Sequence, residues 1–252
     1  KDIEHRVNME CEALGIPRDF PQVGPENMLG IEINPFAAEL ARVSVWIGEI
    51  QWMREHGFEA SRDPILKPLD NIVCRDALLN DDGTEYEWPP AEVIFGNPPY
   101  LGAKLMKRLL GVDTTRKLRK AFEGRLPGFT DLVCYWFEKS RQMIERGVAK
   151  RAGLVATNSI RKNTNLPVMH RIVATTQIFD AWSEEQWNLD GAAVDVSLVC
   201  FGENNGGPIR LNGIEANRIN PDLTSGLDMT KAVLLIENQN VAFLGIQKSY
   251  FC

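Results

Sequence analysis

Four consecutive residues, Asn97-Pro98-Pro99-Tyr100, hold the densest chemistry in this 252-residue chain. Two prolines fix φ and remove two backbone donors, so the segment cannot continue a central strand. It directly follows the apolar run Val93-Ile94-Phe95-Gly96. That makes it a rigid loop at a strand's carboxyl end, where open α/β sheets place their ligands. Such a loop presents a side-chain amide, an unencumbered carbonyl and an aromatic face in fixed relation. Charge supplies a second feature. Residues 104–171 carry 16 Lys+Arg and 5 Asp+Glu, a net of +11, so the rest of the chain carries −17. The densest stretch comprises Lys104, Lys107, Arg108, Arg116, Lys117, Arg119, Lys120 and Arg125, opposed only by Asp113 and Glu123. Such a stripe can track phosphates; an ordinary solvated helix face has the same composition.

The elements that must position these residues alternate in type. Met28 to Ile33 reads as a strand that stops at Asn34-Pro35, a favoured N-cap followed by a favoured first helical residue. Phe36, Leu40, Val43, Ile47 and Ile50 then recur at helical spacing, and Gly57 ends the helix. Asn71 to Cys74 is a short strand ending at Arg75-Asp76, and Ala91 to Phe95 is a third. Thr130 or Asp131 is expected to cap a helix carrying Leu132, Val133, Trp136, Phe137, Met143 and Ile144. Gly153–Thr157, Ile178–Trp182 and Val194–Phe201 are further strands, and Pro208 to Ile214 is one more candidate. Short strands between amphipathic helices predict an α/β fold with a largely parallel sheet. No internal repeat or low-complexity tract interrupts the pattern.

Composition sets the outer limits. A formal charge of −6, 44% hydrophobic and 25% charged residues describe a globular chain and exclude general disorder. No apolar run approaches the roughly 20 residues that cross a bilayer. Cys11, Cys74, Cys134, Cys200 and Cys252 include no C-x-x-C and no close His, so neither a disulfide framework nor a zinc site is indicated. Cys74, Cys134 and Cys200 each sit in an apolar stretch and are expected in the core. A reducing, cytoplasmic setting fits this usage. The sequence opens Lys1-Asp2-Ile3 without a Met or an apolar leader, and reads as the inside of a longer chain.

Placed after a strand, Asn97-Pro98-Pro99-Tyr100 resembles the [DNS]-P-P-[YFW] motif of the amino-group methyltransferases that use S-adenosylmethionine (SAM). The resemblance covers roughly residues 1–215. It implies a Rossmann-like class I methyltransferase fold, truncated at its N-terminus, with residues 216–252 as an extension that leads toward a target-recognition domain. Glu32 resembles the acid that binds the ribose hydroxyls of SAM, with Ile33 packing on adenine; Asp76 resembles the acceptor for adenine N6, with Ala77 beside it. Paired hydroxyls and an exocyclic amine each suit one acceptor, so two acids at adjacent strand ends fit an adenosine. The strings Gly30–Pro35, Ile94–Gly102, Gly153–Ser159 and Asp190–Ser197 narrow the resemblance to DNA adenine-N6 methyltransferases. Within these it is similar to the methyltransferase region of large bacterial type II restriction–modification enzymes, in which nuclease and target-recognition domains accompany it.

By this resemblance DNA is the partner, and Asn97 and Pro98 accept the two N6 hydrogens of a flipped-out adenine. Tyr100 stacks on that base, and Trp187 is the candidate for a second aromatic, a core Trp being the other reading. No Pro-Cys dipeptide occurs, which argues against covalent cytosine methylation. The family's glycine-rich SAM loop is the departure: it should precede the first helix of the motif, and no G-x-G appears later between a strand and a helix. Activity from these residues alone is therefore not expected. Two alternatives remain open: methylation of a protein glutamine amide or an RNA base by the same motif, and a non-catalytic DNA-binding fragment.

Overall fold

A computed structural model describes residues 1–17, 21–58, 69–189, 192–204 and 206–232. The elements run α1 (Asp2–Ala13), β1 (Gly30–Glu32), α2 (Pro35–Glu55), β2 (Ile72–Cys74), β3 (Val93–Gly96), α3 (Ala103–Leu109), α4 (Val112–Ala121) and α5 (Val133–Glu145). They continue with β4 (Arg151–Thr157), α6 (Leu166–Thr175), β5 (Gln177–Leu189), β6 (Ala192–Gly202), β7 (Arg210–Leu211) and β8 (Ile214–Glu215). The chain divides into two packed units, Lys1–Ala91 with Leu105–Gly124, and Glu92–Lys104 with Arg125–Cys252.

In the first unit, Asn34 starts α2 as its residue type predicts. Its side-chain oxygen accepts from the amides of Phe36 (2.9 Å) and Ala37 (3.3 Å), while Pro35 fills the position that needs no donor. β1 and β2 pair in parallel, with Glu32 opposite Cys74. Arg42 on α2 donates to the carbonyls of Leu69 (3.2 Å) and Ile72 (2.5 Å), tying the helix to the entry of β2. The apolar stripe predicted on α2 exists but stands open: Phe36, Leu40, Val43 and Ile47 are 44–77% exposed. Cys74 also departs from expectation. It is exposed at the end of a strand only three residues long, where Ile72 takes the buried position.

The second unit is built on a six-stranded sheet in the order β3-β4-β6-β5-β7-β8. β3 and β4 are parallel, as are β5 and β7, whereas β6 runs antiparallel to both of its neighbours. The α/β class is therefore as expected, but the sheet is mixed and not largely parallel: parallel pairs join the short early strands, while the long strands β4, β5 and β6 pair antiparallel. β6 begins three positions after β5 ends, and so short a connection permits only an antiparallel partner. Pro208 to Ile214 is not one strand. Asn212 and Gly213 adopt φ of 53° and 76°, which turns the chain back and makes β7 and β8 a hairpin.

β4 alternates strictly, and its buried residues Ala152, Leu154 and Ala156 meet Phe137 of α5 and Val168 and Ile172 of α6. The same core takes in Ile219 and Leu223, beyond residue 215. Cys134 lies in it as predicted, and burial, aided by the charge of Asp131, pushes its thiol well above the usual range. The cap of α5 does not follow the prediction. The helix starts at Val133 with no side-chain cap; Thr130 donates instead to the carbonyl of Pro127 (2.7 Å), and the Asp131 carboxylate turns toward Ala103.

One ion cluster joins α5 to α6. The Glu138 carboxylate is fully buried and receives paired hydrogen bonds from Arg141 (2.9 and 3.0 Å) and Arg171 (3.1 and 3.1 Å). Arg141 is also bound by Glu145 (3.0 Å) and Thr175 (3.2 Å). Breaking such a buried cluster by removing one partner is costly, because a charge is left uncompensated. Glu138→Ala should therefore destabilise the second unit by about 3 kcal/mol. Urea unfolding followed by tryptophan fluorescence measures this, and a midpoint equal to wild type would contradict it.

Candidate functional site

Two carboxylates stand at the carboxyl ends of the parallel pair β1 and β2. Glu32 ends β1; its Oε1 accepts from the Asn34 amide (2.8 Å), and its backbone carbonyl accepts from Arg75 (2.9 Å). Asp76 lies two residues beyond Cys74, and its Oδ1 accepts from the amides of Leu78 (2.7 Å) and Leu79 (3.1 Å). In both groups one oxygen is fixed by the local backbone. Among the described residues, Glu32 Oε2 and Asp76 Oδ2 accept no hydrogen bond, so each remains available to a donor. Ile33, 66% exposed, adds an apolar surface beside Glu32.

The turn after Asp76 is stiffened from several directions. Trp88 donates its indole N–H to the Ala77 carbonyl (2.6 Å), and the Tyr86 amide donates to Leu78 (2.9 Å). The Arg75 guanidinium lies over the Tyr86 ring, 3.5 Å from its centroid, and donates to Asn80 (2.7 Å). Glu32, Ile33, Asp76 and Ala77 are thus brought to one end of one strand pair. That arrangement can bind a ligand carrying hydroxyl and amino donors next to a flat apolar group.

In the second unit, Asn97–Tyr100 leaves the carboxyl end of β3, as the sequence predicts. Asn97 and Pro99 are exposed, Pro98 is buried and Tyr100 is half-buried. The Tyr100 hydroxyl donates to Asn97 Oδ1. Partial burial raises the Tyr100 pKa and the bond to Asn97 opposes that rise, so the phenol is a protonated donor at neutral pH. Asn97 Oδ1 keeps a second lone pair, and the Pro98 carbonyl accepts no hydrogen bond among the described residues. The loop therefore offers two neighbouring acceptors and an aromatic ring.

The basic stretch separates into two kinds of residue. Arg116 and Lys117 pair with Asp113 on α4, Arg125 donates to Gln142 (3.0 Å), and Arg119 is half-buried. Lys104, Lys107, Arg108 and Lys120 are exposed and form no ion pair among the described residues. The first three share one face of α3 by their spacing. Trp187 lies on β5 opposite Val194, is 42% exposed, and makes no ring contact with Tyr100 among the described residues; the core reading of this Trp does not hold.

Sequence reasoning missed the polar group that holds the chain just past Tyr100. Asp131 Oδ1 accepts from the Ala103 amide (2.9 Å), and Oδ2 accepts from Asn165 (2.7 Å) and Ser159 (2.9 Å). An Asp before an apolar helix reads as a cap, and no local pattern distinguishes a carboxylate that points elsewhere. Among the described residues no group of three or more His, Cys, Asp or Glu is arranged to hold a metal ion, and no helix is long and apolar enough to cross a membrane.

Known proteins resemble this chain in sequence and in fold. The chain is 30% identical over 208 residues to DNA methyltransferase A of Bacillus subtilis (strain 168), a match that covers 76% of this chain. The fold is similar to that of the type IIL restriction–modification enzyme MmeI, solved in complex with DNA, with a TM-score of 0.68 and 24% identity over 90% of this chain. The match spans 22% of the length of the first relative and 33% of the solved chain. Residues 1–211 match the family described as "MmeI, DNA-methyltransferase domain", and the chain belongs to that family.

Proposed function

We propose that this chain is the region of a restriction–modification protein that transfers a methyl group from SAM to adenine N6 in DNA. The observation that carries this reading is the pair of acceptors, Asn97 Oδ1 and the Pro98 carbonyl, held at the end of β3 by two prolines with Tyr100 beside them. An adenine N6 lone pair is delocalised into the ring and is a poor nucleophile. Two acceptors that take both N6 hydrogens draw the nitrogen toward sp³ and localise that pair, so the chain contributes mainly positioning and electrostatics. A base inside a duplex cannot reach such a loop and must be flipped out. Its face then stacks on Tyr100, in place of the Tyr100–Asn97 hydrogen bond.

Glu32 and Asp76 fit the adenosine part of SAM through their open oxygens. Glu32 Oε2 suits the ribose hydroxyls, Asp76 Oδ2 the exocyclic amine, and Ile33 with Ala77 the face of the ring. When bound, SAM supplies an electrophilic sulfonium methyl. Residues 1–215 act as part of the methyltransferase domain, and the extension after 215 is anchored to it by Ile219 and Leu223. Lys104, Lys107 and Arg108 follow the DNA backbone, with Arg116, Lys117, Arg119 and Lys120 in the adjoining helix. Trp187 is the second aromatic on the flipped base.

The test uses the full-length protein with methyl-labelled SAM and unmethylated bacterial DNA, digested afterwards to nucleosides. Label is expected in N6-methyladenine. Absence of label in DNA, with SAM bound, would move the substrate to a protein amide or RNA. In the same assay Asn97→Ala should lower the methylation rate on the order of 10²–10³-fold while SAM affinity changes less than about twofold; near-normal turnover would remove Asn97 from the mechanism. Replacing Lys104, Lys107 and Arg108 together by Glu should weaken DNA binding and reduce its salt slope by roughly one for each phosphate no longer neutralised. An unchanged slope would return this face of α3 to plain solvated surface.

A further inference from the structure

We propose that Asp131 is a positioning residue for the Asn97–Tyr100 loop and acts through the backbone of Leu101–Ala103. The inference rests on the reading of that loop as the amino acceptor. Two hydrogen bonds fasten the chain just beyond Tyr100. The Leu132 amide donates to the Leu101 carbonyl (2.9 Å), and the Ala103 amide donates to Asp131 Oδ1 (2.9 Å). The other carboxylate oxygen is held from the far side by Asn165 Nδ2 (2.7 Å) and Ser159 Oγ (2.9 Å). Asn165, buried, returns its own oxygen to the Asp131 amide (2.9 Å), and Ser159 shares a hydrogen bond with Thr157 (2.8 Å) at the end of β4. The loop is therefore braced against the end of β4, the strand that pairs with β3.

Among the described residues, the Ala103 amide, Asn165 Nδ2 and the Ser159 hydroxyl all donate to the Asp131 carboxylate. An Asn at this position has nearly the same shape, but in either orientation its NH₂ confronts a group that can only donate: the Ala103 amide in one, the Asn165 Nδ2 in the other, where the Ser159 hydroxyl can turn to accept. The side chain does not cap α5, and the backbone bond from Cys134 to the Asp131 carbonyl (3.1 Å) survives substitution. What substitution removes is the hold on the loop. Acceptors that must meet two hydrogens of one amino group tolerate little displacement, and a shift of about 1 Å costs on the order of 10²-fold in rate.

The full-length protein carrying Asp131→Asn tests this by two independent measurements. Hydrogen exchange in peptides spanning residues 98–104 should accelerate, with exchange elsewhere unchanged. Single-turnover methylation should slow on the order of 10²-fold, with the dissociation constants for SAM and DNA within about twofold of wild type. Ala103→Pro deletes the N–H that Asp131 holds, at the first residue of α3, where proline suits a helix. It should reproduce the loss of rate, and the double variant should be no slower than either single one. Unchanged exchange over 98–104, additive effects in the double variant, or a parallel loss of SAM and DNA affinity would overturn the inference. If Asp131→Asn does not fold, Ala103→Pro alone decides: a wild-type rate would refute the brace. A wild-type protein that transfers no methyl group would refute the proposed function, while the exchange measurement still decides the role of Asp131.

Discussion

The proline pair after β3 constrains everything at the acceptor loop. Pro98 and Pro99 cannot donate to a ladder, so β3 stops at Gly96 opposite Leu154 while β4 continues to Thr157 against Val196 of β6. The chain thus leaves the sheet before its neighbour ends, and the Pro98 carbonyl, freed from ladder pairing, stays unmatched among the described residues. A free backbone acceptor at a strand end is useful only if the loop does not relax around it. The prolines restrict φ from within, and the bonds at Leu101 and Ala103 restrain the chain from outside. Local stiffness and tertiary bracing address the same few ångströms of chain.

The two acids of the first unit solve a different problem. A carboxylate at a strand end is easily consumed by the nearest backbone amides, as Asx turns and helix caps show. Here that consumption stops halfway. Asn34 takes one oxygen of Glu32, and the Leu78 and Leu79 amides share one oxygen of Asp76. The backbone fixes one oxygen of each carboxylate, and the other accepts no hydrogen bond among the described residues, so the group's orientation is settled in advance. Little side-chain entropy is then left to lose on binding, which favours recognition of small hydrogen-bond donors.

What could be read from the sequence follows from the range of the interactions involved. Asn34-Pro35, Asn97-Pro98-Pro99-Tyr100 and the short strands around them are local signals: capping, fixed φ and missing donors act within a few residues, and the structure keeps them. Cys74 and the open stripe of α2 misled because burial depends on what the rest of the chain places nearby, and an apolar residue carries no record of its partner. Strand direction was not legible: the alternation predicts a largely parallel sheet, and the six-stranded sheet is mixed. Asp190-Gly191 is a favoured hairpin dipeptide in the sequence, yet alternation by itself gives the same pattern in either direction. Asn212-Gly213 carried a comparable turn signal inside what read as one strand. Asp131 was the least legible. Its partners Ala103, Ser159 and Asn165 lie 28 and 34 residues away, and only the folded chain brings three donors to one carboxylate.

The basic segment shows why a net charge counted along the chain is a poor measure of a binding field. Of its cations, Arg141 and Arg171 are committed to Glu138, Lys150 to Glu92, Arg161 to Glu184, and Arg116 and Lys117 to Asp113. Pairs exposed to water, such as those at Asp113, contribute little to stability and can exchange partners when a phosphate approaches. The pairs around Glu138 cannot, because releasing Arg141 would strand a buried charge. The field available to a polyanion is therefore carried by a smaller set, with Lys104, Lys107 and Arg108 on one face of the helix that follows the acceptor loop. Three cations at that place, unpaired among the described residues, suit the sequence-independent backbone contacts of the proposed function. An acidic chain with a short basic face is thus compatible with the proposed DNA partner, because the charge that counts near a phosphate is the local one on that face and not the net charge of the chain.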